Sequence, residues 1–375
     1  DEAWPGPLRY LHHVDEPLPP RPVAPPRPEP RLDPSPDGGG TFGSALRWSA
    51  LMNGGRQLAT IGISFLLAAQ LGPRIFGVVA IATVYVAFVQ MILQQGMGAA
   101  IIQRRDLRST HLDTAFWLLM GIGGVLSVAS VALSGWWASV NDLPELRDVI
   151  WGLTPLVLLR ALLIVPDALL RRRLEFRPLA LRTNASVILG GLAGLVAAIL
   201  GAGVWALVIQ QLTTAAIEVF VVWAAVDWKP QRRFSRERAR ELIGFTGPST
   251  RAGFGVFVNA RAEALITGIL LGPVAVGLHR FGARLVDTVV EAVSGSLRAV
   301  ALPELSRLQD ERHAFVARLV GIVGLAAGVA VIPLAALAAA AQPLLDLAGD
   351  EWLPAVPALA ILAVAGAGRT IGDLI

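Results

Sequence analysis

Ten apolar runs constrain this chain more than any other feature. They fall at 46–71, 75–97, 114–138, 149–169, 181–201, 204–226, 248–271, 274–302, 314–341 and 355–375. A bilayer core of roughly 30 Å takes about 20 helical residues, so each run is long enough to cross. Of the 375 residues, 54% are apolar and 16% charged, and the mean hydropathy is +0.60, which is too apolar for an ordinary soluble domain. Within lipid every backbone polar group needs an internal partner, and long unbroken apolar runs meet that need as helices. The expected fold class is an all-α polytopic membrane protein with about ten transmembrane helices.

Charge in the connections gives an orientation. Arg104, Arg105 and Arg108 follow the second run; Arg171, Arg172, Arg173 and Arg177 follow the fourth; Lys229, Arg232, Arg233, Arg236, Arg238 and Arg240 follow the sixth; Arg307 and Arg312 follow the eighth. Alternate connections are short or acidic, with Asp142, Glu145 and Asp148 in one and Asp346, Asp350 and Glu351 in another. The positive-inside rule then sets the N-terminus in the cytoplasm. Residues 1–43, dense in proline with Gly38, Gly39 and Gly40 at their end, lack the apolar residues to build a core, and read as a disordered cytoplasmic tail.

An internal repeat organises the spans. Leu71, Gly72, Pro73 and Gly77 return as Leu271, Gly272, Pro273 and Gly277, 200 positions later. Six spans separate the two copies, an even number, so both halves have the same orientation. That predicts a parallel repeat about an axis along the membrane normal. The expected layout is a six-helix lobe at 44–228, a basic linker helix at 229–247 that Ser235 can cap, and a second lobe at 248–375. Only four spans of that second lobe fall within the chain, so a truncated six-helix lobe is expected.

Charges at bilayer depth are costly, about 2.5–3.5 kcal/mol each on insertion scales, so each asks for a reason. In the eighth span Arg280, Arg284, Asp287, Glu291 and Arg298 fall within an arc of about 60° at 100° per residue. In the first span Ser49, Asn53, Arg56, Thr60 and Ser64 share about 80°. The seventh adds Asn259, Arg261 and Glu263, while Arg251 is near enough the cytoplasmic end to snorkel. One reading makes these stripes the walls of a cationic cavity: Arg56, Arg280, Arg284, Asn53, Thr60, Asn259, Arg261 and Arg298 are its candidate substrate-binding residues. Arginine suits phosphate oxygens because it offers two parallel donors. Asp287, Glu291 and Glu263 are the candidate ion-coupling acids, with His279 beside them for a proton relay. The competing reading is a self-neutralising ladder between helices, with Arg284 and Asp287 as i,i+3 neighbours. For Arg160, Asp167, Arg182, Glu218 and Arg369, helix-to-helix pairing is the default expectation.

No enzyme constellation competes. The chain has no cysteine, and its histidines (His12, His13, His111, His279 and His313) lack metal-ligand spacing with carboxylates. There is no GxxxxGK[ST] loop. No cofactor, no metal, no catalytic residue and no nucleic-acid partner is expected.

The stretch Gly244-Phe245 … Asn259 … Glu263 … Gly268 … Leu271-Gly272-Pro273 … Gly277 … Arg284 … Pro303-Glu304-Leu305-Ser306-Arg307-Leu308-Gln309-Asp310 resembles the polysaccharide (O-antigen and exopolysaccharide) flippases of the multidrug/oligosaccharidyl-lipid/polysaccharide exporter superfamily. The first half agrees, with LGPxxFG at 71–77, the run from Gly96 to Arg104, and Arg172 to Phe176. The family usually has Asp at Glu263, an aromatic pair at Leu278-His279 and a small residue at Arg280. The resemblance implies a multi-pass protein of the bacterial cytoplasmic membrane serving lipopolysaccharide or exopolysaccharide synthesis. It would flip undecaprenyl-pyrophosphate-linked oligosaccharide by alternating access, with H+ or Na+ as coupling ion, membrane lipids around it, and a polysaccharide polymerase and glycosyltransferases as partners. The alternatives are an ion-coupled multidrug antiporter of the same superfamily, which should carry an acidic cavity, and a membrane-embedded polymer ligase or polymerase, which should carry a large outer loop.

Overall fold

In a computed structural model, residues 42–94, 96–104, 106–173, 175–307 and 312–372 are described; the expected tail lies outside them but for its last two residues. Among the described residues the chain is helical and holds no β-strand. The helices are α1 (Phe42–Gln94), α2 (Met97–Gln103), α3 (Ser109–Val140), α4 (Glu145–Leu153), α5 (Pro155–Arg172), α6 (Phe176–Ile199), α7 (Val204–Ala225), α8 (Arg236–Arg307), α9 (Arg312–Ala339), α10 (Ala341–Asp346) and α11 (Val356–Gly372), with a 3-10 turn at Asp350–Ala355 before the last. Among the described residues eight segments are long and apolar enough to cross a membrane. The chain is therefore a multi-span membrane protein.

Two of those segments turn back on themselves, and both turns use the repeated glycine. Gly72 sits at φ 68°, ψ 166° inside α1, and Gly272 at φ 77°, ψ −178° inside α8. Those angles are essentially closed to a residue with a Cβ. The reversal at Gly272 is visible in packing. A Cβ on Gly268 would lie 3.6 Å from Val276, whereas two turns of straight helix hold such positions about 12 Å apart. At Gly72, Trp352 spans the bend: its Nε1 donates to the Ala68 carbonyl at 3.1 Å while its ring sits 5.3 Å from that of Phe76. Expected spans 1 and 2 are thus the two arms of α1, and 7 and 8 the two arms of α8.

The two hairpins cross at their tips. A Cβ on Gly77 would fall 1.6 Å from the Pro273 carbonyl oxygen, and one on Gly277 would fall 1.9 Å from that of Pro73. The contact is reciprocal: each copy of the motif places its glycine against the other copy's proline. Beneath the crossing, Phe65, Phe76, Phe281 and Trp352 form a knot of edge-to-face and tilted rings at 4.6–6.3 Å.

At the opposite end the basic connections interlock. Arg172 donates to the carbonyls of Ile101, Ile102 and Arg104 and so caps α2. Arg104 reaches Glu241 on α8, which also accepts from Arg238 at 3.1 Å. The Arg104 guanidinium bonded to it holds the Glu241 carboxyl below the usual carboxylate range, outweighing the opposing effect of partial desolvation. Ser235 caps α8 as expected, accepting from the Arg238 amide at 3.4 Å. The linker differs from the expected helix at 229–247 in one respect: residues 229–235 are not helical, and the helix starts at Arg236 as the first turns of α8, running on into the seventh span.

Candidate substrate cavity

The second arm of α8 is the hub of the candidate site, and three of its side chains reach neighbours. His279 Nε2 lies 2.7 Å from Glu263 Oε1 on the first arm, a close contact without hydrogen-bond alignment. Asp287 Oδ1 accepts from Arg369 of α11 at 2.7 Å. Glu291 accepts from Gln57 of α1. One helix is therefore tied to its hairpin partner, to α11 and to α1 at successive levels. Arg261 and Arg280 are half-buried, with Asp287 within electrostatic reach of both, while Arg284 is exposed.

Asp287 makes its 2.7 Å bond to Arg369 across helices, as a ladder between helices requires. Thr60 is half-buried on α1. Asn53, Arg56, Asn259 and Arg298 lie on described helices, but their side chains fall outside the described residues. Gln57 was missed by the sequence reading; it sits three residues before Thr60, at the edge of the same stripe.

The pairs expected elsewhere are found between helices. Arg160 of α5 bonds Glu218 of α7, and Asp167 of α5 accepts from Arg182 of α6 as well as from Arg171. These are structural ties in the first half, at sites where the partner side chains are largely covered. Among the described residues no group of three His, Asp or Glu side chains is placed to hold a metal ion.

Exposure separates the α8 groups from those ties. The Glu263, Asp287 and Arg369 side chains are 62%, 46% and 55% exposed. By helix rise, Glu263 and Asp287 stand roughly 13 and 22 Å from the Gly272 turn, inside the depth of a bilayer core. Ionised groups at that depth are costly against acyl chains, so each asks for a partner or a water-filled cavity. The arrangement defines a polytopic membrane protein with mixed-charge, arginine-bearing side chains grouped around one hairpin arm.

That class has relatives. Residues 66–357 match the family model described as polysaccharide biosynthesis protein, and the chain belongs to that family. It is 26% identical over 328 residues to the succinoglycan biosynthesis transport protein ExoT of Rhizobium meliloti (strain 1021), covering 84% of this chain and 64% of that one. It is 23% identical over 348 residues to the lipopolysaccharide biosynthesis protein WzxC of Escherichia coli (strain K12), covering 88% and 68%. The chain thus spans about two thirds of these relatives' length. Among solved structures it is similar in fold to the lipid II flippase MurJ in an inward closed conformation, with TM-score 0.67 at 10% identity over 87% of this chain and 76% of that one. A multidrug resistance transporter of the MATE family, inward-facing, gives TM-score 0.61 at 16% identity over 84% and 81%.

Proposed function

We propose that this chain is the transport body of a flippase that moves lipid-linked oligosaccharide across the cytoplasmic membrane for cell-surface polysaccharide synthesis. The carrying observation is the set of exposed or half-buried charges around the second arm of α8, in a chain whose relatives include a succinoglycan transport protein. Arg261, Arg280 and Arg284 hold the pyrophosphate of an undecaprenyl-linked unit, joined by Arg56 and Arg298. The sugars meet Asn53, Thr60 and Asn259. The prenyl tail stays in the bilayer. Two lobes rock about the LGP crossing, opening the cavity to each face in turn, with the N-terminus in the cytoplasm. A coupling ion, H+ or Na+, binds among Glu263, Asp287 and Glu291, and its arrival loosens the ties to His279, Arg369 and Gln57. No step calls for bond-making chemistry by the protein.

The test is Arg284→Ala in the full-length gene. Its carbon chain can leave without opening a core cavity, because the residue is exposed. Surface polymer is expected to disappear while the variant still inserts at wild-type level. Normal polymer with normal insertion would remove Arg284 from the mechanism.

A further inference from the structure

The segment that joins the two halves has two unlike faces. Its inner face is fixed to the start of α3. Trp117 Nε1 donates to the Gln231 carbonyl at 2.8 Å, the Gln231 amide donates to Asp113 at 3.1 Å, and the Ser235 amide donates to Thr114 at 3.2 Å. Leu242 and Ala239 are buried, and Arg238 turns inward to Glu241. The outer face carries Arg232, Arg233, Arg236 and Arg240, all exposed, against a single exposed acid, Glu237. Among them Phe234 is 55% exposed, and Ile243, three residues past Arg240, is 50% exposed.

The depth of this face is marked independently. Immediately before it, Trp223, Trp228, Phe116 and Trp117 form a cluster with ring centroids 5.3–6.0 Å apart, and the Lys229 amine sits 5.6 Å from the Trp223 ring centroid. Clustered tryptophans at the end of membrane helices lie at headgroup level. Arginines a few residues beyond them stand at the plane of lipid phosphates, and an exposed phenylalanine there reaches toward acyl chains.

We infer that the outer face of residues 232–243 is a binding surface for anionic phospholipid headgroups, which clamps the junction between the two halves to the membrane surface. Four cations against one acid give the charge complementarity, and Phe234 and Ile243 give the apolar anchor. Arg238 takes no part, because its guanidinium is committed to Glu241. The inference does not depend on what the protein transports.

The test uses the whole chain in lipid nanodiscs made of phosphatidylcholine with increasing phosphatidylglycerol. Hydrogen exchange of the 229–243 amides is followed by mass spectrometry. Protection is expected to rise with phosphatidylglycerol and to vanish at high salt. Apparent affinity for phosphatidylglycerol should fall about fivefold for each arginine neutralised among Arg232, Arg233, Arg236 and Arg240 as Gln. Arg238→Gln should leave that affinity unchanged. Three results would overturn the inference: exchange indifferent to lipid charge, an undiminished lipid effect in the fourfold variant, or the same protection from inorganic phosphate in pure phosphatidylcholine. An unfolded fourfold variant is recognised by exchange throughout the chain; single variants then carry the comparison.

Discussion

Alanine at Gly77 or Gly277 tests the crossing of the two hairpins most directly. The new Cβ would sit 1.6 Å from the Pro273 oxygen in one case and 1.9 Å from the Pro73 oxygen in the other. Both obstacles are backbone atoms next to a proline, so no rotamer change relieves them; the hairpins must separate. Overpacking of this kind costs about 1–3 kcal/mol or more. The same substitution at Gly121, on α3, meets nothing within 4 Å and should gain up to about 1 kcal/mol from helix propensity. The two sites should therefore differ by about 2–4 kcal/mol, or roughly 4–8 °C in melting temperature at about 2 °C per kcal/mol. The assay is thermal unfolding of the purified chain in detergent. If Gly77→Ala and Gly277→Ala melt no lower than Gly121→Ala, the close approach of the two turns is not as described.

Gly72→Ala should fail for a second reason, since φ 68° is strained for alanine and the Cβ would press within 2.6 Å of Glu351; a drop in folded yield measures it. Trp352→Phe keeps the ring packing but loses the bond to the Ala68 carbonyl, which should lower the melting temperature by an amount matching about 1 kcal/mol. Arg160→Leu strands the Glu218 carboxylate and should cost about 3–5 kcal/mol, most of it restored by Glu218→Leu in the same chain; unfolding of both variants checks this. Glu241 has a folded pKa below its usual 4.5, so its contribution is present above that value and is lost as pH falls through the folded one. Acidification should raise hydrogen exchange at 104–108 and 236–242, and Glu241→Gln should show the raised exchange already at neutral pH.

Much of the fold was legible because bilayer crossing imposes a length, and length survives in a sequence. The 200-residue echo was legible too, because a reversal at φ near +70° admits glycine at Gly72 and Gly272 and little else. What the echo could not say is that the copies touch, Gly77 on Pro273 and Gly277 on Pro73; spacing along a chain carries no information about which tips meet. The charges divide the same way. Periodicity put Arg280, Arg284, Asp287 and Glu291 on one face, since that needs only 100° per residue. It could not find Arg369 or Gln57 as partners, because a partner on another helix depends on packing. It also joined Arg238 to its basic neighbours, when the inward turn toward Glu241 sets it apart.

The two arms that follow the repeated turns make the final contrast. After Gly72, the positions matching the charged face of α8 are Ala80, Val84, Ala87 and Met91, and the Val84 side chain is buried. After Gly272 they are Arg280, Arg284, Asp287 and Glu291. Backbone symmetry is kept at the turns, where the two copies pack on each other and any departure in one would clash with the other. It is given up along the arms, where each copy meets different neighbours. The first half seals its charges in pairs, Arg160 with Glu218 and Asp167 with Arg182. The second leaves Glu263, Asp287 and Arg369 about half exposed at membrane depth. Ion pairs that served only to hold helices together would be covered, because exposure to lipid is costly and exposure to water weakens the tie. Pairs left open to water are readily broken and re-formed, and that is the property a site needs if an anionic group is to displace one carboxylate and take over its arginine.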